Sequence, residues 1–441
     1  MNDYGNGPST GLDQTAIGKI ITGFTPEDVE ISAGDRVVLR ALAERVVIIA
    51  ETPEMNEGRD LWRRHNSLEK TRPVIFCDPE NGWNEIITEA QMKCVGKLAR
   101  RWEMDLRKEI FWGEAMGDDK PVTRFFDVPY TVSPDYWGVE AVYHSSGQSD
   151  GARSWDAPIE DYERDLPKIR GPEFEIDWVT TNGSLELARQ IFSGILDVRL
   201  KGTWWWWSLG VTLPAATLRG LRNIFTDVFD HPEELKSLLS MISNGHMRKL
   251  DFLERSGLLS LNNDATYVGS GGFGVTDELP GIDFNGKVRC RDMWGFTDSQ
   301  ETVCMSPEMY EEYVFPYEKP LMDRFGLTCY GCCEPLESRW HVVKRHHNLR
   351  RVSCSPWADY RKMAENLSQD YVFSMKPNPA ALAVSDINWE RIRAELRRDL
   401  DVTRGCVVEV LMKDNHTLAC RPENVTEWCR IAKEESLRMG E

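Results

Sequence analysis

From Pro232 to Met439 the chain alternates between two kinds of segment, and this alternation leaves few folds open. Short strand-like segments run from Leu258 to Leu261, near Val288 to Met293, from Phe325 to Leu327 with the strand end at Thr328, and from Leu349 to Cys354, Tyr371 to Met375 and Cys406 to Met412. Helix-patterned segments separate them: Pro232 to Ser256, Ser306 to Arg324, Leu336 to His347, Pro356 to Leu367, Asn388 to Asp401 and Pro422 to Met439. Strands that return every roughly 20 to 35 residues with a helix between them form parallel βα units. Repeated this often, the pattern predicts an α/β fold of the (β/α)8 TIM-barrel type rather than an open sheet. No GxGxxG follows the first strand, Val74 to Cys77, which counts against a dinucleotide-binding sheet.

The first half is less regular. Residues 1 to about 24 read as an arm, and Thr25-Pro26-Glu27-Asp28 starts a helical stretch to about Arg64. Residues 1–70 are therefore expected to form an N-terminal arm and helical extension, and residues 71–441 the barrel. Residues from about 113 to 182, rich in Asp, Pro, Gly and aromatics, read as a long insertion with a few short strands. The block Trp204-Trp205-Trp206-Trp207 cannot face one core, because neighbours on a strand point to opposite faces. Its rings line a cavity, a subunit interface (the chain is compatible with a homo-oligomer) or a second packing layer.

The formal net charge of −18 argues against a general nucleic-acid binder, which needs a basic stripe. It is compatible with a partner that carries a basic patch. No apolar run approaches the roughly 18 residues of a membrane span, and residues 1–14 lack a secretory pattern, so a cytoplasmic chain is expected. Eleven irregularly spaced cysteines are expected to be reduced thiols.

In a barrel of this kind the reactive groups stand at the C-terminal ends of the strands. Those ends carry Asn262, Asn263, Asp264 and Tyr267; Trp294, Asp298 and Glu301; Cys329, Cys332, Cys333 and Glu334; Lys376; and Lys413, Asp414, Asn415 and His416. Thiolates beside a carboxylate suit a zinc-type ion, although free cysteines are also common as small buried groups. His416 is the best histidine candidate, against a capping or solvent-exposed role. His341, His346 and His347, on a predicted helix near Arg345 and Arg350, read as surface residues. Lys376 and Lys413 are rim cations suited to a carboxylate or phenolate.

Several segments carry a family resemblance. Leu218-Arg219-Gly220-Leu221-Arg222-Asn223 with His231-Pro232-Glu233, Ser306-Pro307-Glu308 through Pro316-Tyr317, and Arg421-Pro422-Glu423-Asn424 look like scaffold motifs of the uroporphyrinogen decarboxylase superfamily. Within it, the chain resembles the corrinoid-dependent methyltransferases. The decarboxylases place an Arg-rich segment near the first strand. Here it reads Ile75-Phe76-Cys77-Asp78-Pro79-Glu80, a poor fit to a polycarboxylate tetrapyrrole. The family's zinc methyltransferases carry His-x-Cys-Gly where this chain has Tyr330-Gly331-Cys332-Cys333, with a late Cys near the place of His416.

The resemblance implies a zinc set drawn from Cys332, Cys333, Glu334 (or Glu301) and His416. It also implies a corrinoid delivered by a partner protein, since no corrinoid-binding module is visible. The expected activity is methyl transfer from a small-molecule donor, a methoxylated aromatic by preference, with zinc as Lewis acid. Glu301, Asp264 and Tyr267 are the expected catalytic groups; Asn262, Asn263, Trp294, Lys376 and Lys413 are expected to hold the substrate. A decarboxylase, a zinc-dependent hydrolase and a barrel that only binds a ligand are the competing readings.

Overall fold

The computed structural model describes residues 29–132, 136–145, 153–172, 175–202 and 209–440. The Trp204–Trp207 block and the Thr25–Asp28 helix start lie outside the described residues. The strands are β1 (Val74–Cys77), β2 (Phe125–Pro129), β3 (Val142–Ser145), β4 (Arg153–Asp156), β5 (Asp197–Lys201), β6 (Tyr267–Val268), β7 (Gly272–Phe273), β8 (Trp294–Thr297), β9 (Leu327–Tyr330), β10 (Leu349–Cys354), β11 (Val372–Met375) and β12 (Val407–Met412).

Six of them form one parallel sheet in the order β1-β12-β11-β10-β9-β8. The fold is therefore mixed α/β on a parallel sheet, as the alternation requires. Its ends, β1 and β8, are not paired with each other among the described residues.

Two expected strands differ. Leu258 to Leu261 forms no strand. Instead, the Asn262 side chain stands beside β8 as a substitute peptide unit. It accepts from the Trp294 N–H at 3.0 Å and donates to the Trp294 carbonyl at 3.1 Å. The strand expected over Val288 to Met293 begins only at Trp294, because Asp292 accepts from the Arg289 N–H and guanidinium and folds that stretch into a tight turn.

Each segment that the pattern predicts as helical holds a helix, but several are interrupted or shortened. The stretch to Arg64 is two helices, Ala33–Ala50 and Pro53–Asn66. Ser32 and Asp35 cap the first reciprocally, and Pro53 suits a first turn but not a helix interior. Ser306 to Arg324 likewise splits into Pro307–Tyr313 and Phe315–Met322. Of Leu336 to His347 only Trp340–Val343 is α-helical.

The two-residue period of a strand gives the sheet two different faces. Ile75, Cys77, Val352, Cys354, Phe373, Met375, Val408, Val410 and Met412 enter the main core with the outer helices. The opposite face carries Val74 and Phe76, Cys329, Arg351, Ser374 and Glu409, and Leu411. It is covered by the β6–β7 hairpin and by Trp62 of the helix Pro53–Asn66. A second core joins the helices Ala33–Ala50, Lys97–Phe111 and Trp178–Phe192 to the parallel pair β2–β5. The segment read as an irregular insertion thus contributes β2 to an ordered unit. All eleven cysteines are free, and among the described residues no helix is long and apolar enough to cross a membrane.

Candidate functional site

Strand register decides which loops meet. Cys77 pairs with Met412, Met375 with both Val410 and Cys354, and Tyr330 with both Val352 and Thr297. The residues that follow these positions emerge side by side: Asp78 to Glu80, Lys413 and Asp414, Lys376, Gly331 to Glu334, and Asp298 to Glu301.

Lys413 is the centre of the polar face. Its Nζ is buried and lies 3.2 Å from Glu80 Oε1 and 3.5 Å from Asp414 Oδ1. A Cβ at Gly271 would stand 3.1 Å from the Tyr267 hydroxyl and 3.4 Å from Lys413 Cδ, so the missing side chain of Gly271 leaves the space where tyrosine and lysine converge. Burial opposes the charge on Lys413, but Glu80, Tyr267, Asp414 and Cys332 outweigh it and hold the ammonium well above its ordinary pKa. Burial pushes the Glu80 carboxyl up to about 7 against the pull of Lys413. Both acidic partners adopt left-handed backbone, with φ of 54° at Glu80 and 61° at Asp414. Such residues cost on the order of 1–3 kcal/mol each and gather at functional sites.

Lys376 is also buried, and its Nζ donates to Ser374 Oγ at 3.0 Å. Burial, reinforced by Lys413 and Arg351, lowers its pKa to about 8, with Glu409 and Cys332 opposing. Cys332 is buried and Cys333 exposed, with sulfurs 3.6 Å apart. The hydrogen bond between them, together with burial, raises the Cys332 thiol, and the same bond lowers Cys333. Tyr267, Lys376, Lys413 and Cys332, all singled out from sequence, are thus brought together. An aromatic layer backs them, with Phe76 6.0 Å from Tyr267, 4.8 Å from Phe273 and 6.2 Å from Trp112 between ring centres.

Other expected site residues serve the scaffold in this arrangement. Asn262 holds β8 as described. Asn263 donates to the Leu279 carbonyl at 2.6 Å. Trp294 is buried, donates to the Gly274 carbonyl and lies under the Arg351 guanidinium. Asp264 pairs with Arg199 at 2.8 Å and Lys201 at 3.3 Å. Glu301 accepts from Thr212 at 2.7 Å, and burial with Glu334 nearby raises its carboxyl.

The implied zinc set does not fit this geometry. Both Glu334 oxygens accept backbone N–H groups, Oε1 from Ser299 at 3.0 Å and Oε2 from Cys332 at 2.9 Å. His416 is exposed, and its Nδ1 hydrogen-bonds the Asn81 amide at 3.3 Å. Among the described residues no three His, Cys, Asp or Glu side chains gather as a metal would need.

Sequence reasoning passed over Glu80, Glu318 and an ionic cluster beneath the site. Glu409 Oε1 lies 2.9 Å from Arg351 Nε and its Oε2 3.1 Å from His65 Nε2, all three side chains buried. The signal was present, because counting back by twos from Lys413 along β12 reaches Glu409 on the same face. Glu318 accepts from Tyr330 at 3.2 Å, and Tyr330 also meets Ser299 and Tyr310 at 2.9 and 2.8 Å. His346, expected at the surface, is buried instead. It stacks on Tyr330 with ring centres 5.0 Å apart and meets Phe315 edge-on, and burial drives its pKa down to about 3. His341 and His347 are exposed as expected.

No protein-family description matches the sequence, and no curated protein matches it. Among solved structures, the chain is similar to a methyltransferase from Methanosarcina mazei at 12% sequence identity, over 85% of this chain and 97% of that one, with a TM-score of 0.46.

Proposed function

We propose that the chain is a methyltransferase of the uroporphyrinogen decarboxylase superfamily type, with its parallel sheet forming part of a (β/α)8 barrel. In this reading it takes the methyl group of a small methoxylated aromatic and hands it to the corrinoid of a partner protein in the cytoplasm. The corrinoid supplies the Co(I) methyl acceptor. The residues of this chain bind the donor and stabilise the oxygen left behind.

One observation carries the proposal: Lys413 and Tyr267 converge beside Lys376 and Cys332 at the strand ends, against the Phe76–Phe273–Trp112 layer. An aromatic donor stacks on such a layer. Lys413, kept cationic by Glu80 and Asp414, faces the developing phenolate, where a buried charge is worth far more than in water. Tyr267 orients the ether oxygen, and Lys376 holds a second anionic group of the donor. Glu301, tied to Thr212, and Asp264, tied to Arg199, hold loops in place. Zinc enters no step, because both Glu334 oxygens are held by backbone N–H groups and His416 is turned to Asn81.

The test uses purified protein, free cob(I)alamin as acceptor and a panel of methoxybenzoates. The proposal expects donor-dependent loss of the Co(I) absorbance with formation of the free phenol. A panel that yields no phenol at saturating protein overturns it.

A further inference from the structure

We propose that Cys332 and Cys333 are a redox site, a dithiol that closes into a vicinal disulfide and in that state silences the rim around Lys413. The effect on catalysis rests on the function proposed above, whereas the chemistry of the pair stands on its own geometry.

The two sulfurs are already 3.6 Å apart, and a disulfide needs them at about 2.0 Å. The backbone at Cys332 is held on both sides. The Cys332 N–H donates to Glu334 at 2.9 Å, and the Cys332 carbonyl accepts from Ser353 Oγ at 2.9 Å. Closing the gap takes side-chain rotation and a twist of the peptide that joins the two residues. The sulfurs divide the work by exposure: Cys333 is open to an oxidant, and Cys332 is buried behind it. Neighbouring thiols are engaged elsewhere. Cys329 lies 3.7 Å from an Arg351 nitrogen, and Cys354 donates to the Val352 carbonyl.

The ring so formed would be labile. Adjacent Cα atoms are about 3.8 Å apart, closer than the roughly 4.4 Å at the short end for ordinary disulfides. Strained bridges are easily reduced and belong to the regulatory kind.

With hydrogen peroxide as oxidant the steps balance. The Cys333 thiolate attacks one peroxide oxygen, the O–O bond breaks, and Cys333 becomes a sulfenic acid. The departing hydroxide takes the proton that Cys333 had released and leaves as water. The Cys332 sulfur then displaces the hydroxyl group from Cys333. The S–O bond breaks, the S–S bond forms, and the hydroxyl leaves with the Cys332 proton as a second water. Each sulfur loses one electron, and the peroxide gains both. The Gly331 to Glu334 loop emerges beside Lys376 and Lys413, so drawing the two sulfurs together reshapes the rim itself.

The test treats the full chain with stoichiometric peroxide, alkylates the remaining thiols without reductant and maps the peptides by mass. The expected product is lighter by two hydrogens, with the bridge within the Cys332–Cys333 peptide, and dithiothreitol restores both thiols. Cys333→Ser should abolish the bridge. Methyl transfer to cob(I)alamin should fall at least tenfold on oxidation and return with dithiothreitol. Three outcomes overturn the redox site: both thiols still alkylated, Cys333 advanced to sulfinic acid with Cys332 free, or bridging in its place of Cys77 and Cys429, two buried thiols that hydrogen-bond each other. A bridge that forms in a protein whose methyl transfer is unchanged overturns the silencing alone. A bridge in a protein with no methyl transfer at all upholds the redox site, overturns the silencing and counts against the proposed function.

Discussion

Lys413 Nζ stands 3.2 Å from Glu80 Oε1, and the two residues reach each other because β1, near the start of the sheet-forming chain, pairs with β12 at its end. Burial lifts the Glu80 carboxyl to about 7, so its charge changes within the working range while Lys413 stays cationic. The pH profile of kcat/KM should therefore show an ionisation near 7 that Glu80→Gln removes. A variant that keeps the same inflection would assign it to another group.

Below this pair, Glu409 joins Arg351 and His65 on the same face. Burial works against its charge, but Arg351 and His65 outweigh burial and bring its pKa to about 2, from an ordinary 4.5. A depressed acid contributes stability above its unfolded value that is lost as pH falls through the folded one. Wild-type stability, read as the urea midpoint, should thus decline between about pH 4.5 and 2, by about 3 kcal/mol. Glu409→Gln should remove that dependence and cost about 3–5 kcal/mol at pH 7, since it leaves a buried guanidinium uncompensated. An undiminished acid limb in the variant would refute the assignment.

Lys376 has the same pH sense in a window above neutrality, so at pH 7 it opposes folding. Its folded pKa, about 8, lies below the ordinary 10.5, so the stability linked to it is present above the unfolded value and lost as pH falls through the folded one. Lys376→Met should therefore raise the free energy of unfolding at pH 7 by about 3 kcal/mol, with the gain fading by about pH 10.5. It should also raise KM for a methoxybenzoate more than for the neutral methoxybenzamide. Equal effects on both donors would remove Lys376 from anion binding.

How far the sequence could be read depended on the range of the interaction. The strands β1 and β10 were legible to the residue because turn formers bound them, Pro73 and Asp78-Pro79 around β1, Asn348 and Ser355-Pro356 around β10, and such boundaries are local signals. Lys413 and Cys332 were legible because they follow β12 and β9, whose C-terminal ends lie along one edge of the parallel sheet, whereas Tyr267 arrives from the separate β6–β7 hairpin. The scaffold role of Asn262 was not, since its partner is the backbone of Trp294 on another segment. Nor was that of Glu334, whose partners are the N–H groups of Ser299 and Cys332. A carboxylate caught by backbone amides and one free for a metal have the same one-letter code. His346 misled for the same reason: its helix-like, arginine-flanked surroundings look exposed, but Tyr330 and Phe315 enclose it.

Asn262 gives a clean separation of structure from chemistry. Asn262→Ala should destabilise the fold by about 1–3 kcal/mol, through two lost hydrogen bonds to buried backbone. It should leave kcat of the folded fraction within a factor of about two. A large fall in kcat with unchanged stability would return Asn262 to the substrate.

The central claim is that the Lys413 ammonium meets the oxygen from which the methyl group departs. Its most direct test compares methyl transfer to cob(I)alamin by wild type and Lys413→Met across aryl methyl ethers whose phenols differ in acidity. The account predicts a loss of about 10²–10⁴-fold for weakly acidic phenols, shrinking towards none for a nitrophenol leaving group. The same loss for every leaving group would contradict it.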